Sequence, residues 1–100
     1  MRVMLRAHMD TAATNQGIAN GALPQAMQKL MEKVKPEAAY FGLHEGVRSA
    51  WIVFDLQDSS QLPLLLEDLF LQFHAEIEVA PVMDAEGLAK GLSALASATS

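Results

Sequence analysis

Residues 38–44 and 47–56 are two β-rich runs separated only by Glu45-Gly46. A two-residue connection ending in glycine is a strong hairpin signal, because the tight turns that follow strand twist need positive φ. It also sets the register. With His44 opposite Val47, Gly42 opposes Ser49, Tyr40 opposes Trp51 and Ala38 opposes Val53. On the other face Leu43 meets Arg48, Phe41 meets Ala50 and Ala39 meets Ile52. The second set is the more uniformly apolar and is assigned to the core.

The remaining chain reads as strands and helices around this hairpin. Val3, Leu5, Ala7 and Met9 alternate with Arg2, Met4, Arg6 and His8, the period of a strand. Residues 10–21 hold Thr, Asn and Gly with Ile18 as the one large apolar residue, which predicts a loop with at most one irregular helical turn. Leu23, Ala26, Met27, Leu30, Met31 and Val34 follow helical spacing. Pro24 places the start near Ala22, and Pro36 ends the helix. Asp58-Ser59-Ser60-Gln61 has the form of a capping box before a helix with Leu62, Leu65, Leu66, Leu69 and Phe73 on one stripe. A last strand over residues 75–82 precedes a short helix capped by Asp84, with Leu88, Leu92 and Leu95 on one side. The small, weakly polar end of the chain is expected to fray from about residue 96.

The order βαββαβα is that of an α+β, ferredoxin-like domain with an extra C-terminal helix, a single domain over residues 1–100. Two right-handed βαβ halves joined by the hairpin interlock into a four-stranded antiparallel sheet of order 4-1-3-2, with the first two helices on one face. That covered face takes Val3, Leu5, Ala7, Phe41, Leu43, Ala50, Ile52, Phe54, Ile77 and Val79. By parity the other face carries Met4, Arg6, His8, Tyr40, Gly42, His44, Ser49, Trp51, Val53, Asp55, His74, Glu76 and Glu78. Such a mixture is neither a solvated face nor a core, and its apolar members form a patch that needs a partner.

Charge and composition remove several function classes. Seven Lys+Arg against twelve Asp+Glu leave no basic tract to neutralise phosphates, so nucleic acid is not an expected partner. With no cysteine, disulfides, thiolate metal sites and cysteine nucleophiles are absent. Arg6 interrupts the apolar start, unlike a signal peptide, and no apolar run is long enough for a membrane span, so a cytoplasmic location is expected. The stretch from Gly17 to Gly21 lacks the lysine and the flanking strand of a phosphate loop, and no serine sits in a nucleophile elbow.

The element order, the length and the half-polar second face resemble the dimeric α/β-barrel superfamily, which includes muconolactone-isomerase-like, antibiotic-biosynthesis-monooxygenase-like and stress-responsive barrel proteins. More closely, Lys35-Pro36-Glu37-Ala38-Ala39-Tyr40-Phe41 and Ala80-Pro81-Val82-Met83-Asp84-Ala85-Glu86 are similar to small bacterial proteins of unknown function. The resemblance implies a homodimer in which two chains stack their uncovered sheet faces around a lumen that holds a small ligand. It brings no catalytic motif with it.

On this face Arg6, in the strand beside the last one, opposes Glu76 or Glu78 depending on register. The pair reads either as a structural ion pair or as an anchor for an anionic or carbonyl ligand with the second acid free as a base. His8 is the candidate general acid or base, together with Glu76 or Glu78. His8, His74 and Glu76 share one end of the sheet, but no local histidine pair fixes two metal ligands, and no metal or other cofactor is expected. His44, on the outer strand, is expected too far away to join them. Tyr40 and Trp51 form either a stabilising cross-strand pair or the wall of a site for a flat, partly apolar or aromatic molecule. Met4, Arg6, Tyr40, His44, Ser49, Trp51 and Val53 complete the expected lining. A ligand-binding dimer, an isomerase- or monooxygenase-like enzyme without a cofactor, and a purely structural dimer thus share one face.

Overall fold

The computed structural model describes residues 1–99. Among them the chain forms strands β1 (Arg2–His8), β2 (Ala38–His44), β3 (Val47–Asp55) and β4 (Glu76–Pro81), with helices α1 (Thr11–Ala19), α2 (Ala22–Val34), α3 (Leu62–Phe73) and α4 (Ala85–Thr99). The strands make one antiparallel sheet in the order β2-β3-β1-β4. This is the ferredoxin-like arrangement expected from the sequence, with its C-terminal helix.

The hairpin forms in the expected register, from His44 opposite Val47 to Ala38 opposite Val53. Glu45 (φ 51°) and Gly46 (φ 81°) both turn through positive φ, the requirement of the tightest hairpin turn. The two open registers for Arg6 resolve to Glu78, and His8 then faces Glu76.

One face of the sheet is core. Val3, Leu5 and Ala7 of β1 and Ala50, Ile52 and Phe54 of β3 are buried against Ala26, Leu30 and Val34 of α2 and Leu66, Leu69 and Phe73 of α3. Pro24 and Pro63 lie in the first turns of their helices, where a missing N–H costs nothing. The Asp58–Gln61 capping box is present and opens a short 3-10 turn that leads into α3.

Three expectations are corrected. Residues 10–21 are not a loop, since α1 occupies most of them. Its signal is in capping rather than in an apolar stripe: Asp10 Oδ2 accepts from the Ala13 N–H at 2.8 Å, and the buried side is made of Thr14 and Gly17. Three helices rather than two therefore back the sheet, and α1 is anchored by Arg48, whose Nη1 donates to Thr14 Oγ1 at 2.7 Å and Asn15 Oδ1 at 2.9 Å. Phe41 and Leu43 are not core. They are 60% and 71% exposed, because β2 is the outer strand and lies beyond the reach of the helices.

Helix α4 is longer than expected and runs to Thr99, and Ser100 lies outside the described residues. Asp84 caps it, with Oδ1 accepting from the Gly87 N–H at 2.8 Å. None of its residues is buried, and Leu88, Leu92 and Leu95 are each half exposed or more. Among the described residues no helix is long and apolar enough to cross a membrane.

Candidate functional site

The opposite sheet face is organised in rows across the strands. Reading β4, β1, β3, β2, one row is Glu76, His8, Ser49 and Gly42, and the next is Glu78, Arg6, Trp51 and Tyr40. Met4 and Val53 form the centre of a third row. Side chains two apart along a strand share a face, so all these residues point away from the helix-packed core.

The ends of β1 and β2 and the starts of β3 and β4 meet at one end of the sheet, and there a cavity of about 420 Å³ opens. Arg6, His8, His44, Glu76 and Glu78 line it, together with Met9, Asp10, Glu45, Val47 and His74. All three histidines of the chain are therefore in one place. The expectation that His44 is too far from His8 is wrong. Their imidazoles stack, with centroids 4.1 Å apart and planes 14° from parallel. The small Ser49, the β3 partner of His8, leaves room for His44 to reach over that strand. Among the described residues no group of three or more His, Asp or Glu side chains is placed to hold a metal ion.

His8 is held from below. Its Nδ1 lies 3.1 Å from Ser49 Oγ, and the Ser49 hydroxyl donates to the Val47 carbonyl at 3.1 Å. Ser49 is 2% exposed, so it lies beneath the cavity rather than lining it. Arg6 Nη1 lies 3.6 Å from Glu78 Oε2, an ion pair without a short hydrogen bond. The Arg6 Nε is buried without an acceptor among the described residues. An unsatisfied buried donor costs about 1–3 kcal/mol, so this guanidinium is incompletely partnered.

The apolar members stand apart from the cavity. Met4, Val53 and Trp51 are half-buried in the middle of the face, while Tyr40, on the outer strand, is 70% exposed. Trp51 and Tyr40 are register partners, but the indole leans over Gly42: a Cβ there would lie 3.4 Å from Trp51 Cζ3. The expected lining thus divides into a polar end around His8 and an apolar middle around Trp51.

Met9, Asp10, Glu45 and Val47 were missed as lining residues. Their signal was their position: each lies within two residues of a strand terminus that antiparallel pairing brings to the same end of the sheet. The polar end can exchange hydrogen bonds or protons with a ligand, and the apolar middle can cover a flat surface. Compared with known proteins, the sequence matches no family model and no curated protein.

Proposed function

We propose that this protein is a homodimer whose two uncovered sheet faces enclose a lumen for a small, partly apolar or aromatic molecule, as in a dimeric α/β barrel. The observation that carries this reading is the face itself. Helices α1 to α3 pack on the side of Leu5 and Ile52, while Met4, Trp51, Val53 and Tyr40 are left on the other. Apolar residues grouped on an open sheet mark a contact surface. The exposed leucine stripe of α4 is a second surface that favours self-association, since a helix with no buried residue gains stability from a partner that covers it. The cavity around His8 then supplies the polar end of the lumen, where a ligand is oriented.

Light scattering at micromolar concentration tests the dimer, with twice the chain mass expected. A panel of flat aromatic compounds tests the ligand. Binding raises the melting temperature of the wild type and raises that of Trp51→Ala much less. A monomer mass overturns the dimer, and a lumen plugged by side chains leaves a structural dimer.

A second reading makes the same protein an enzyme that works by acid–base chemistry without a cofactor, with His8 and Glu76 or Glu78 as the proton carriers. It is favoured by the His8 Nε2, which meets no hydrogen-bond partner among the described residues while its ring lines the cavity. Turnover of a substrate from the panel, abolished by His8→Ala with binding retained, separates this reading from simple binding.

A further inference from the structure

The chain of contacts below His8 bears on where its proton sits. A backbone carbonyl only accepts, so the 3.1 Å contact between Ser49 Oγ and Val47 O consumes the one hydroxyl hydrogen of Ser49. The contact of 3.1 Å between Ser49 Oγ and His8 Nδ1 then needs a hydrogen from the imidazole. Ser49 is 2% exposed, so water does not compete for either contact. A neutral His8 ring that keeps both contacts as hydrogen bonds carries its hydrogen on Nδ1 and leaves the Nε2 lone pair free. The stacked His44 ring lies parallel to it, which limits its rotation out of this arrangement.

We propose that Ser49 is a positioning residue that locks His8 in the Nδ1–H form, and that the site accordingly takes ligands presenting an acidic O–H to His8 Nε2. Phenols and enols are the class that combines such a donor with the flat apolar body suited to Trp51. Arg6 lies two residues before His8 on the same strand face and brings a guanidinium whose Nε lacks an acceptor among the described residues. An oxygen acceptor elsewhere on the ligand complements it. Only this ligand class rests on the lumen-binding reading. The tautomer does not.

The test is long-range ¹H–¹⁵N NMR of the histidine side chains in the full chain, at a pH where the spectra show the His8 ring neutral. The expected result is a predominant Nδ1–H form for His8, opposite to the form preferred by free histidine. Ser49→Ala should move the population toward Nε2–H, and Ser49→Thr, which keeps the hydroxyl, should restore it. A wild-type His8 in the Nε2–H form overturns the proposal without any variant having to fold, and so does a tautomer unchanged by Ser49→Ala. For the ligand class the probes are phenol and anisole, alike in shape but not in donor. Phenol should bind the wild type about fivefold more tightly, the worth of one net hydrogen bond, and the ratio should fall toward one in Ser49→Ala. Equal binding of the two by the wild type overturns the donor assignment. Binding of neither overturns the lumen reading, and the positioning role then stands or falls on the tautomer.

Discussion

His8 and His44 come from strands separated by a third, yet their rings stack at a centroid distance of 4.1 Å. The residue of the intervening strand in the row of His8 is the small Ser49. Ser49 lies under His8, with its hydroxyl 3.1 Å from Nδ1, and leaves the space above β3 to the two imidazoles. A larger side chain at residue 42, in the same row, meets the indole of Trp51 rather than the imidazoles. A Cβ at Gly42 would lie 3.4 Å from Trp51 Cζ3, an ordinary contact distance. Gly42→Ala should therefore be neutral or stabilising by up to about 1 kcal/mol, since glycine weakens a strand interior. Gly42→Leu should displace the indole and quench or shift Trp51 fluorescence. Destabilisation by alanine in urea unfolding would show that the strand is tighter here than its geometry implies.

Gly17 provides the opposite case. A Cβ there would lie 2.6 Å from Phe73 Cε1 and 3.2 Å from Leu23 Cβ, at the junction of α1, α2 and α3. Alanine would gain up to about 1 kcal/mol of helix propensity. Overpacking against a buried phenylalanine costs about 1–3 kcal/mol. The second effect wins, because Phe73 is 1% exposed and cannot swing aside. Gly17→Ala should lower the unfolding midpoint, and an unchanged midpoint would mean that α1 shifts freely over α3.

These two glycines also show which parts of the fold were legible. The hairpin register could be read to the residue, because Glu45-Gly46 fixes the turn and the side-chain period of two propagates it. Helix α1 could not, because its buried side is Thr14 and Gly17, which leave no apolar stripe, and its anchor, Arg48, is remote in sequence. Phe41 and Leu43 were misplaced since parity gives the face of a residue but not how far the covering helices extend along the sheet. At the site, membership of Arg6, His8 and Glu78 followed from alternation alone. The stack with His44 did not, because it depends on how far two side chains reach across an intervening strand, which alternation does not give.

The carboxylate of Asp84 is held below the usual aspartate range by the Gly87 N–H and then by Arg2, whose Nη1 lies 3.3 Å away. A group whose pKa is lowered on folding stabilises the fold above its unfolded value, about 3.9, and the contribution is lost as the pH falls through the folded value. Helix α4 should therefore lose helical signal on acidification below about pH 4. Asp84→Asn keeps an oxygen acceptor for Gly87 but has no charge to lose, so the helix of this variant should respond less to acid. An identical acid response in both proteins would assign the change to other carboxylates, such as Asp58, which the Ser60 hydroxyl and N–H hold low in the same way.

Arg6 and Glu78 distinguish the isolated chain from the proposed dimer. In the single chain their side chains are 40% and 72% exposed, and an ion pair so open to water is worth at most about 1 kcal/mol. Between two stacked sheets the same pair would be desolvated, and removing one partner of a buried pair costs about 3–5 kcal/mol. Arg6→Met should therefore weaken self-association by about a hundredfold or more in sedimentation equilibrium, while leaving the circular dichroism of the folded chain intact. Adding Glu78→Gln removes the uncompensated charge and should recover much of the loss, although neither residue is then ionic. If Arg6→Met associates as tightly as the wild type, the guanidinium stays in water and the interface lies elsewhere, with the leucine face of α4 as the surface to mutate next.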